Sequence, residues 1–290
     1  MQTAISIAPV TSDIDPFASD YILDPYPLHR EMREAGPIIW LEKWKVFAVA
    51  RYEQVQAVLP VREYDDRNVL FATRNGTVKK TPLSEFSYRL ARGKIAINLD
   101  EGDALVGVAM TDGSRDVMLF ASNGKAVRFA EKEVRSMGRN TTGVRGIRLT
   151  KGEEVRSLIV IEGDGDILTA SERGYGKRTP VAEYPRKGRG TQGVIAIRTS
   201  ERNGRLVGAI QLSDHHEVLL ISDGGTLVRT RAAEISQVSR NTQGVTLMRL
   251  AADETLQAIE RVDALLEDEV VVGPVVDALA AEDGEPLSPM

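Results

Sequence analysis

The sequence predicts an all-β fold of about four propeller-like blades, preceded by a small α/β segment and followed by an acidic tail. Three observations lead to this fold class: a β-hairpin signal recurs four times, a glycine-centred element follows each hairpin in step, and no helical periodicity lies between them. Three or four strands per repeat suit a propeller blade or a β-solenoid coil. Blades fit better, because radial packing protects the edges of short strands.

The first segment, residues 1–59, contains no repeat. Its pattern predicts a short helix from Pro27 to Arg33, a hairpin of Ile38–Leu41 with Val46–Val49, and a second helix from Tyr52 to Leu59. This segment is the α/β appendage of the predicted fold.

The hairpins of the repeats are marked by Asn-Gly, Arg-Gly or Gly-Gly between runs of β-forming residues. Glycine and asparagine supply the positive φ angles that tight two-residue turns require. The turn glycines fall 48, 50 and 51 residues apart: Gly76, Gly124, Gly174 and Gly225.

A second element follows each hairpin and is centred on a repeat glycine. These glycines are 50, 50 and 51 residues apart: Gly93, Gly143, Gly193 and Gly244. A third strand is predicted to end each unit, and the four are Leu105–Ala109, Val155–Ile161, Leu206–Leu212 and Leu256–Val262.

Two basic positions repeat in register. One lies on the strand after each turn, at Lys80, Arg128, Arg178 and Arg229; the other lies four residues before each repeat glycine, at Arg89, Arg139, Arg189 and Arg240. A repeated cation on a repeated fold predicts a stripe of positive charge, as a wrapped DNA duplex needs. The alternative is that these side chains tie neighbouring blades together through backbone carbonyls, and the sequence leaves both open.

The net charge of −5 hides an uneven distribution. Residues 67–250 carry 30 Lys and Arg against 20 Asp and Glu, residues 1–66 carry 6 against 11, and residues 251–290 carry 1 against 11. A basic middle between acidic ends favours a polyanionic partner for the middle, although the same charges would also solvate a β-rich surface.

Several classes of function are disfavoured. The chain has no cysteine, which excludes disulfides, thiolate nucleophiles and cysteine-ligated metals or haem. Neither a phosphate-binding P-loop nor a dinucleotide fingerprint occurs, and His215-His216 has no evident third metal ligand. No apolar run is long enough to span a bilayer. We expect no catalytic residue, no metal, no cofactor and no membrane partner, and a cytoplasmic, nucleoid-associated location.

Four stretches resemble the repeats of the C-terminal domain of the DNA gyrase A subunit. They are Asn75-Gly-Thr-Val-Lys-Lys-Thr81, Met137-Gly-Arg-Asn-Thr-Thr-Gly-Val-Arg-Gly-Ile-Arg148, Gly174-Tyr-Gly-Lys-Arg178 and Val238-Ser-Arg-Asn-Thr-Gln-Gly-Val245. The resemblance covers residues from about 61 to 262. It implies a β-pinwheel, in which neighbouring blades exchange strands and DNA bends around a basic outer rim without sequence readout.

On this resemblance the basic residues become phosphate contacts on the rim. The expected DNA-binding residues are Lys79, Lys80, Arg89, Arg128, Arg139, Lys177, Arg178, Arg186, Lys187, Arg189, Arg229 and Arg240. Double-stranded DNA is the expected partner, with other gyrase subunits as further possible partners.

Two departures from the family pattern limit the expected activity. The DNA cleavage domain with its tyrosine is missing, so the chain is not expected to be an enzyme by itself. The Gln-Arg-Arg-Gly-Gly-Lys-Gly box is missing with its blade, and the nearest local analogue is Arg186-Lys-Gly-Arg-Gly-Thr-Gln-Gly193. DNA binding and bending are therefore expected to survive better than the chiral wrap that supports negative supercoiling.

The N-terminal segment resembles a different family. The stretches Asp15-Pro-Phe17, Asp24-Pro-Tyr-Pro-Leu-His-Arg-Glu-Met-Arg-Glu-Ala-Gly-Pro37 and Val46-Phe-Ala-Val-Ala-Arg-Tyr-Glu-Gln-Val55 are similar to the start of a bacterial cytochrome P450. That family needs a haem-ligating cysteine, which is absent. We therefore expect a chimera with residues 1–59 as a truncated P450-like fragment, 60–262 as pinwheel repeats and 263–290 as an acidic tail. A protein-interaction propeller and a non-functional chimera remain as alternative interpretations.

Overall fold

The computed structural model describes residues 10–15, 26–35, 39–43, 46–48, 59, 61–88 and 93–263. The predicted helix Tyr52–Leu59 lies outside this part of the chain except for its last residue, and the predicted acidic tail lies outside it from residue 264 onward. The fold class is confirmed: the described repeats form an all-β, four-bladed pinwheel.

The N-terminal part contains a small α/β unit. Strand β1 (Val10–Ser12) pairs in parallel with β2 (Ile39–Leu41), which forms an antiparallel hairpin with β3 (Val46–Ala48). Helix α1 spans Tyr26–Ala35 between β1 and β2. The predicted helix and hairpin are both present, and the parallel pairing of β1 is additional.

Each blade starts with the predicted hairpin and adds its third strand beside the first. The hairpins are β4 (Asn68–Thr73) with β5 (Thr77–Pro82), β7 (Asp116–Ala121) with β8 (Lys125–Ala130), β11 (Asp166–Ser171) with β12 (Tyr175–Pro180), and β15 (His216–Ser222) with β16 (Leu227–Arg231). The third strands are β6 (Leu105–Thr111), β10 (Val155–Val160), β14 (Leu206–Leu212) and β18 (Leu256–Asp263).

A two-residue strand from the following repeat completes blades 1 to 3. These exchanged strands are β9 (Val144–Arg145) on β5, β13 (Val194–Ile195) on β8 and β17 (Val245–Thr246) on β12. Each follows a repeat glycine with positive φ, namely Gly143, Gly193 and Gly244. The second sequence element is thus the strand that one blade lends to the blade before it.

The core consists of apolar residues shared between successive blades. One cluster joins Leu70 and Val78 of blade 1 to Leu119 and Phe129 of blade 2, and equivalent clusters join blade 2 to blade 3 and blade 3 to blade 4. Burying large apolar side chains stabilises each junction by about 1.5–3 kcal/mol per side chain. Apolar packing therefore stabilises the junctions between blades as well as the individual blades.

The third strands of successive blades approach closely at one small residue. A β-bulge displaces the register near the start of every third strand, and the residue after it is small: Gly107, Ser157, Gly208 and Ala258. A Cβ on Gly107 would lie 2.7 Å from the Cβ of Leu158 in the next blade. The sequence uses small residues here because the neighbouring strand occupies that space.

Candidate nucleic-acid interface

The first repeated cation lies on the second hairpin strand and is paired with a carboxylate. Lys80 lies 3.2 Å from Glu131, Arg128 lies 2.8 Å from Asp116, and Arg178 lies 3.3 Å from Asp166. In blades 2 and 3 the acid opens the first strand of the same hairpin. Blade 1 has Asn68 at that position, and Glu131 of the next repeat supplies the carboxylate instead.

These cations also reach backbone carbonyls of the next repeat. Arg128 donates from Nη1 to the carbonyls of Val181 at 2.9 Å and Tyr184 at 3.2 Å. Arg178 donates from Nε to the carbonyl of Ile235 at 2.9 Å. The side chains of Lys80 and Arg178 are almost fully buried. Through these bonds to the next repeat, Lys80, Arg128 and Arg178 connect blades 1, 2 and 3 to the blades that follow them.

Lys79 and Lys177 are fully buried at the preceding position of the same strand. The ammonium group of Lys79 donates to the carbonyls of Ala96, at 2.7 Å, and Arg139, and that of Lys177 donates to the carbonyls of Ser239 and Arg240. Burial lowers the pKa of both groups, and that of Lys177 falls to about 8.

The second repeated cation donates to a backbone carbonyl at the same position in each of three repeats. Arg139 donates from Nη1 to the carbonyl of Ile95, Arg189 to that of Arg145, and Arg240 to that of Ile195, at 3.1, 3.1 and 2.7 Å. Each accepting residue lies at the same position of the preceding repeat. Arg89, the first member of this set, lies outside the described residues.

These contacts correct part of the sequence-based expectation. A phosphate contact requires an accessible cation, whereas Lys79, Lys80, Lys177 and Arg178 are buried and Arg128 is largely so, with their donors on carbonyls or carboxylates. The alternative of ties between blades fits these five. Arg139, Arg189 and Arg240 are half-buried ties with part of the guanidinium exposed.

Three of the expected residues are exposed. Arg186 lies 2.6 Å from Asp116 while more than half of its side chain stays accessible. Lys187 is exposed, and its backbone N–H bonds to the carbonyl of Arg128. Arg229 pairs with Glu217 and is exposed, because blade 4 has no described neighbour on that side.

The structure reveals a third repeated cation, five residues after the repeat glycine, that we call the arginine row. Its members are Arg148, Arg198 and Arg249, and all three are exposed. They lie beside the hairpin tips of blades 1, 2 and 3, where the preceding residues, Ile147, Ile197 and Met248, contact the turn glycines. Sequence reasoning missed the row, although its constant distance from the repeat glycine was a usable signal.

The backbone of two members of the arginine row is fixed by the next repeat. The N–H of Arg148 bonds to the carbonyl of Thr191 at 2.8 Å, and that of Arg198 bonds to the carbonyl of Thr242 at 2.8 Å. The side chain of Arg198 also donates from Nη2 to Oδ1 of Asn241 at 3.1 Å, and all three side chains remain exposed. Guanidinium groups held in this way can bind phosphate bidentately.

A groove at the tip of blade 3 collects further basic and aromatic groups. Arg173, Arg202 and Arg249 line it together with Tyr175, and the guanidinium of Arg202 lies 4.8 Å from the Tyr175 ring centroid. Asp253 and Glu254 line the same groove, so its lining carries three basic and two acidic side chains.

Other kinds of site are not found in the part of the chain that the structure describes. No group of three or more His, Asp or Glu side chains there could hold a metal ion. None of the helices described is long and apolar enough to cross a membrane.

Comparison with known proteins gives consistent matches for the repeats. The family model described as the DNA gyrase C-terminal domain, beta-propeller, matches residues 67–112, 115–162, 165–213 and 216–263, one match per blade. The DNA gyrase A subunit of Klebsiella oxytoca is 54% identical over 238 residues, and that of Escherichia coli K12 is 53% identical over 238 residues. Each alignment covers 82% of this chain and 27% of the relative, so the chain spans about a quarter of these proteins.

Solved structures give the same result. The C-terminal domain of DNA topoisomerase IV has a TM-score of 0.67 at 27% identity, covering 71% of this chain and 65% of that one. The DNA gyrase A C-terminal domain has a TM-score of 0.63 at 25% identity, covering 69% and 68%.

Proposed function

Because the chain belongs to the DNA gyrase C-terminal domain family of β-propellers, we propose that it binds double-stranded DNA without reading its sequence and bends the duplex around the hairpin-tip side of the pinwheel. The observation that carries this proposal is the arginine row, an exposed cation repeated once per junction between blades. Backbone phosphates also repeat along a duplex, so several exposed cations of the row can each neutralise a phosphate.

The proposed interface combines the row with the exposed residues expected from the sequence. Arg186, Lys187 and Arg229 contact parts of the hairpins away from the tips, so they are included, with Arg89, Arg139, Arg189 and Arg240, as peripheral contacts. Phosphate contacts position a duplex and carry no base information. We therefore expect similar affinity for duplexes of different sequence.

A salt-dependent titration with a fluorescent duplex of mixed sequence tests this proposal. Counterion release predicts that the logarithm of the binding constant falls with the logarithm of salt concentration, by about 0.9 per neutralised phosphate. The triple variant R148Q, R198Q and R249Q should weaken binding and flatten this slope by roughly 0.9 for each phosphate that it no longer neutralises.

The matched control is the triple variant R67Q, R115Q and R135Q. Arg67 and Arg115 pair locally with Asp65 and Asp112, and Arg135 is exposed after the 3-10 turn that follows β8, so all three lie at the ends of the hairpins opposite the tips. Both variants lose the same charge, so an equal effect on the slope would mean that net charge, and not the arginine row, carries binding. Absence of binding at low salt would favour the alternative of a protein-interaction propeller.

We further propose that any DNA cleavage coupled to this chain is carried out by a domain other than the repeats, with gyrase subunits as candidates. The family model that matches the repeats is that of the DNA gyrase C-terminal domain. Co-purification with a gyrase cleavage core, with a sample lacking the core as control, tests this association.

Residues 1–59 are proposed to be a P450-like fragment joined to the repeats near Val58-Leu59-Pro60, and residues 263–290 to be an acidic tail. The family model matches residues from 67 onward and leaves residues 1–59 unmatched. Limited proteolysis should cut within residues 1–59 before it cuts the repeats. Equal protection of both parts would contradict this division.

A further inference from the structure

In the part of the chain that the structure describes, no exchanged strand completes the last blade. The second hairpin strand of blades 1 to 3 pairs with two residues of the following repeat, but β16 pairs only with β15 among the described residues. Leu227 is therefore 57% exposed. Its equivalents in the completed blades are buried, and they are Val78, Ala126 and Gly176.

Repeat 1 contains a segment equivalent to the exchanged strands, but no hairpin of a preceding blade is described with which it could pair. Gly93–Ile97 of repeat 1 has the place in its repeat that the exchanged strands have in repeats 2 to 4. Ile95 is 56% exposed. Gly93 already has a φ of 73°, close to the 74° and 78° of Gly193 and Gly244.

The space around two glycines shows that both halves of one junction are open. In the three formed junctions, a Cβ on the turn glycine would lie closer than 3.0 Å to a backbone oxygen of the exchanged segment, and a Cβ on the repeat glycine would lie as close to the hairpin strand. At Gly225 and at Gly93, no atom lies within 4 Å of that position.

We propose that the β16 edge of one chain receives the Gly93–Ile97 segment of a second copy, in a head-to-tail junction like those between its own blades. The formed junctions fix the register: Val144, Val194 and Val245 pair with the equivalents of Leu227, so Lys94 of the second copy pairs with Leu227. The carbonyl of Gly225 accepts from the N–H groups of Ala96 and Ile97, as those of Gly76, Gly124 and Gly174 do in the formed junctions.

Arg229 supplies a second contact across this junction. Arg128 and Arg178 each form an ion pair with an acidic residue of their own hairpin. Each also donates to a backbone carbonyl in, or directly after, the short 3-10 turn of the next repeat. Arg229 forms the corresponding ion pair with Glu217, and the exposed part of its side chain can donate to the Leu83–Phe86 turn of the second copy. The same residue types therefore meet in the same geometry.

A head-to-tail contact uses different surfaces on its two sides, so it can repeat without limit. Each added chain presents a new β16 edge at one end and a new Gly93–Ile97 segment at the other. The assembly should therefore grow with concentration and not stop at a dimer.

Sedimentation of the full 290-residue chain, without DNA, tests this over a hundredfold range of concentration. We expect the mean mass to rise through dimers and trimers. G93N and G225N each block one side of the junction, because asparagine tolerates positive φ while its Cβ meets the partner backbone. Each should weaken self-association at least tenfold. The control is G102N. Gly102 lies outside the junction, its φ is 74°, and no atom lies within 4 Å of the position that a Cβ would take there.

Mixing the two blocked variants separates this model from every other mode of association. G93N keeps an intact β16 edge and G225N keeps an intact donor segment, so together they form one junction and a dimer that does not grow. A constant monomer mass of the unmodified chain would overturn the proposal, since β16 would then be covered within the chain or not at all. Equal growth of G93N, G225N and the unmodified chain would also overturn it, since another surface would be responsible.

Discussion

Lys177 illustrates how this fold uses cations at the level of single residues. Its ammonium group is fully buried and donates to two carbonyls of the next repeat. Two carbonyls need only two N–H donors, which a neutral amine also has. The contact can therefore persist when the group loses its proton, and the cost of burying the charge then disappears.

The lowered pKa of Lys177 gives a stability that depends on pH. The unfolded chain keeps the proton up to about pH 10.5, whereas the folded chain releases it near pH 8, so the free energy of unfolding rises with pH between these values. The rise is at most about 1.4 kcal/mol per pH unit. Above about pH 10 it is opposed by Tyr184, whose pKa burial raises.

Urea unfolding at pH 7.5, 8.5 and 9.5 measures this effect. The unmodified chain should gain stability relative to K177M across the series. K187M, which changes an exposed lysine, is the matched control and should run parallel to the unmodified chain. Parallel curves for K177M as well would mean that Lys177 keeps its proton in the fold over this pH range, as it does in the unfolded chain.

Burial of these cations could not be predicted from the repeat alone. Lys79 and Lys80 are adjacent on a strand, and neighbouring side chains of a strand point to opposite faces, so one of them is expected in solvent. Both are buried because β9 and the loop before it, from the following repeat, cover what would be the outer side of the hairpin. The sequence indicated a repeated cation, but its exposure depends on a neighbour about 60 residues away.

At the level of elements, the hairpins and third strands were predictable and the exchanged strands were not. Asn-Gly, Arg-Gly or Gly-Gly flanked by β-formers is a local signal, and all four hairpins and all four third strands are confirmed. The exchanged strands have two residues each and belong to another blade. Only the resemblance to a strand-exchanging family indicated them, since two residues are too few for a period.

The small residue at the third strand gives a prediction at this level. In G107A, the new Cβ would meet the Cβ of Leu158, so we expect the free energy of unfolding to fall by roughly 1–3 kcal/mol, as in overpacked cores. In G138A there is open space and no positive φ, so the change should be neutral or stabilise by less than about 1 kcal/mol. Chemical denaturation of both variants makes the comparison. Equal stabilities would mean that the third strands can move apart at no cost.

On the scale of the whole molecule, charge is separated along the chain. Residues 251–290, which include the last strand of blade 4 and the segment after it, carry 11 acidic side chains and 1 basic side chain. If the cationic surface binds DNA as proposed, we expect a tethered acidic segment to compete with it at high effective concentration. Such competition is electrostatic and is therefore screened by salt.

Deleting residues 264–290 should tighten binding to a DNA duplex at low salt. The gain should shrink as salt increases, and a full-length variant in which the seven acids of this segment are changed to their amides should match it. If the amide variant binds like the unmodified chain while the deletion binds more tightly, bulk and not charge would be the cause. No change in either would exclude competition by the tail.

The junctions between blades have a consequence for how the molecule comes apart. Among the residues that the structure describes, each blade is coupled to its neighbours in sequence through a lent strand, side-chain bonds to backbone carbonyls and a shared cluster of apolar side chains. Such a row behaves like a one-dimensional chain of coupled units, in which the terminal units have half the coupling of the internal ones. Thermal unfolding should therefore start at the terminal blades and proceed inward. Blades 2 and 3 should be the last to exchange their amide hydrogens, and refolding should begin with them.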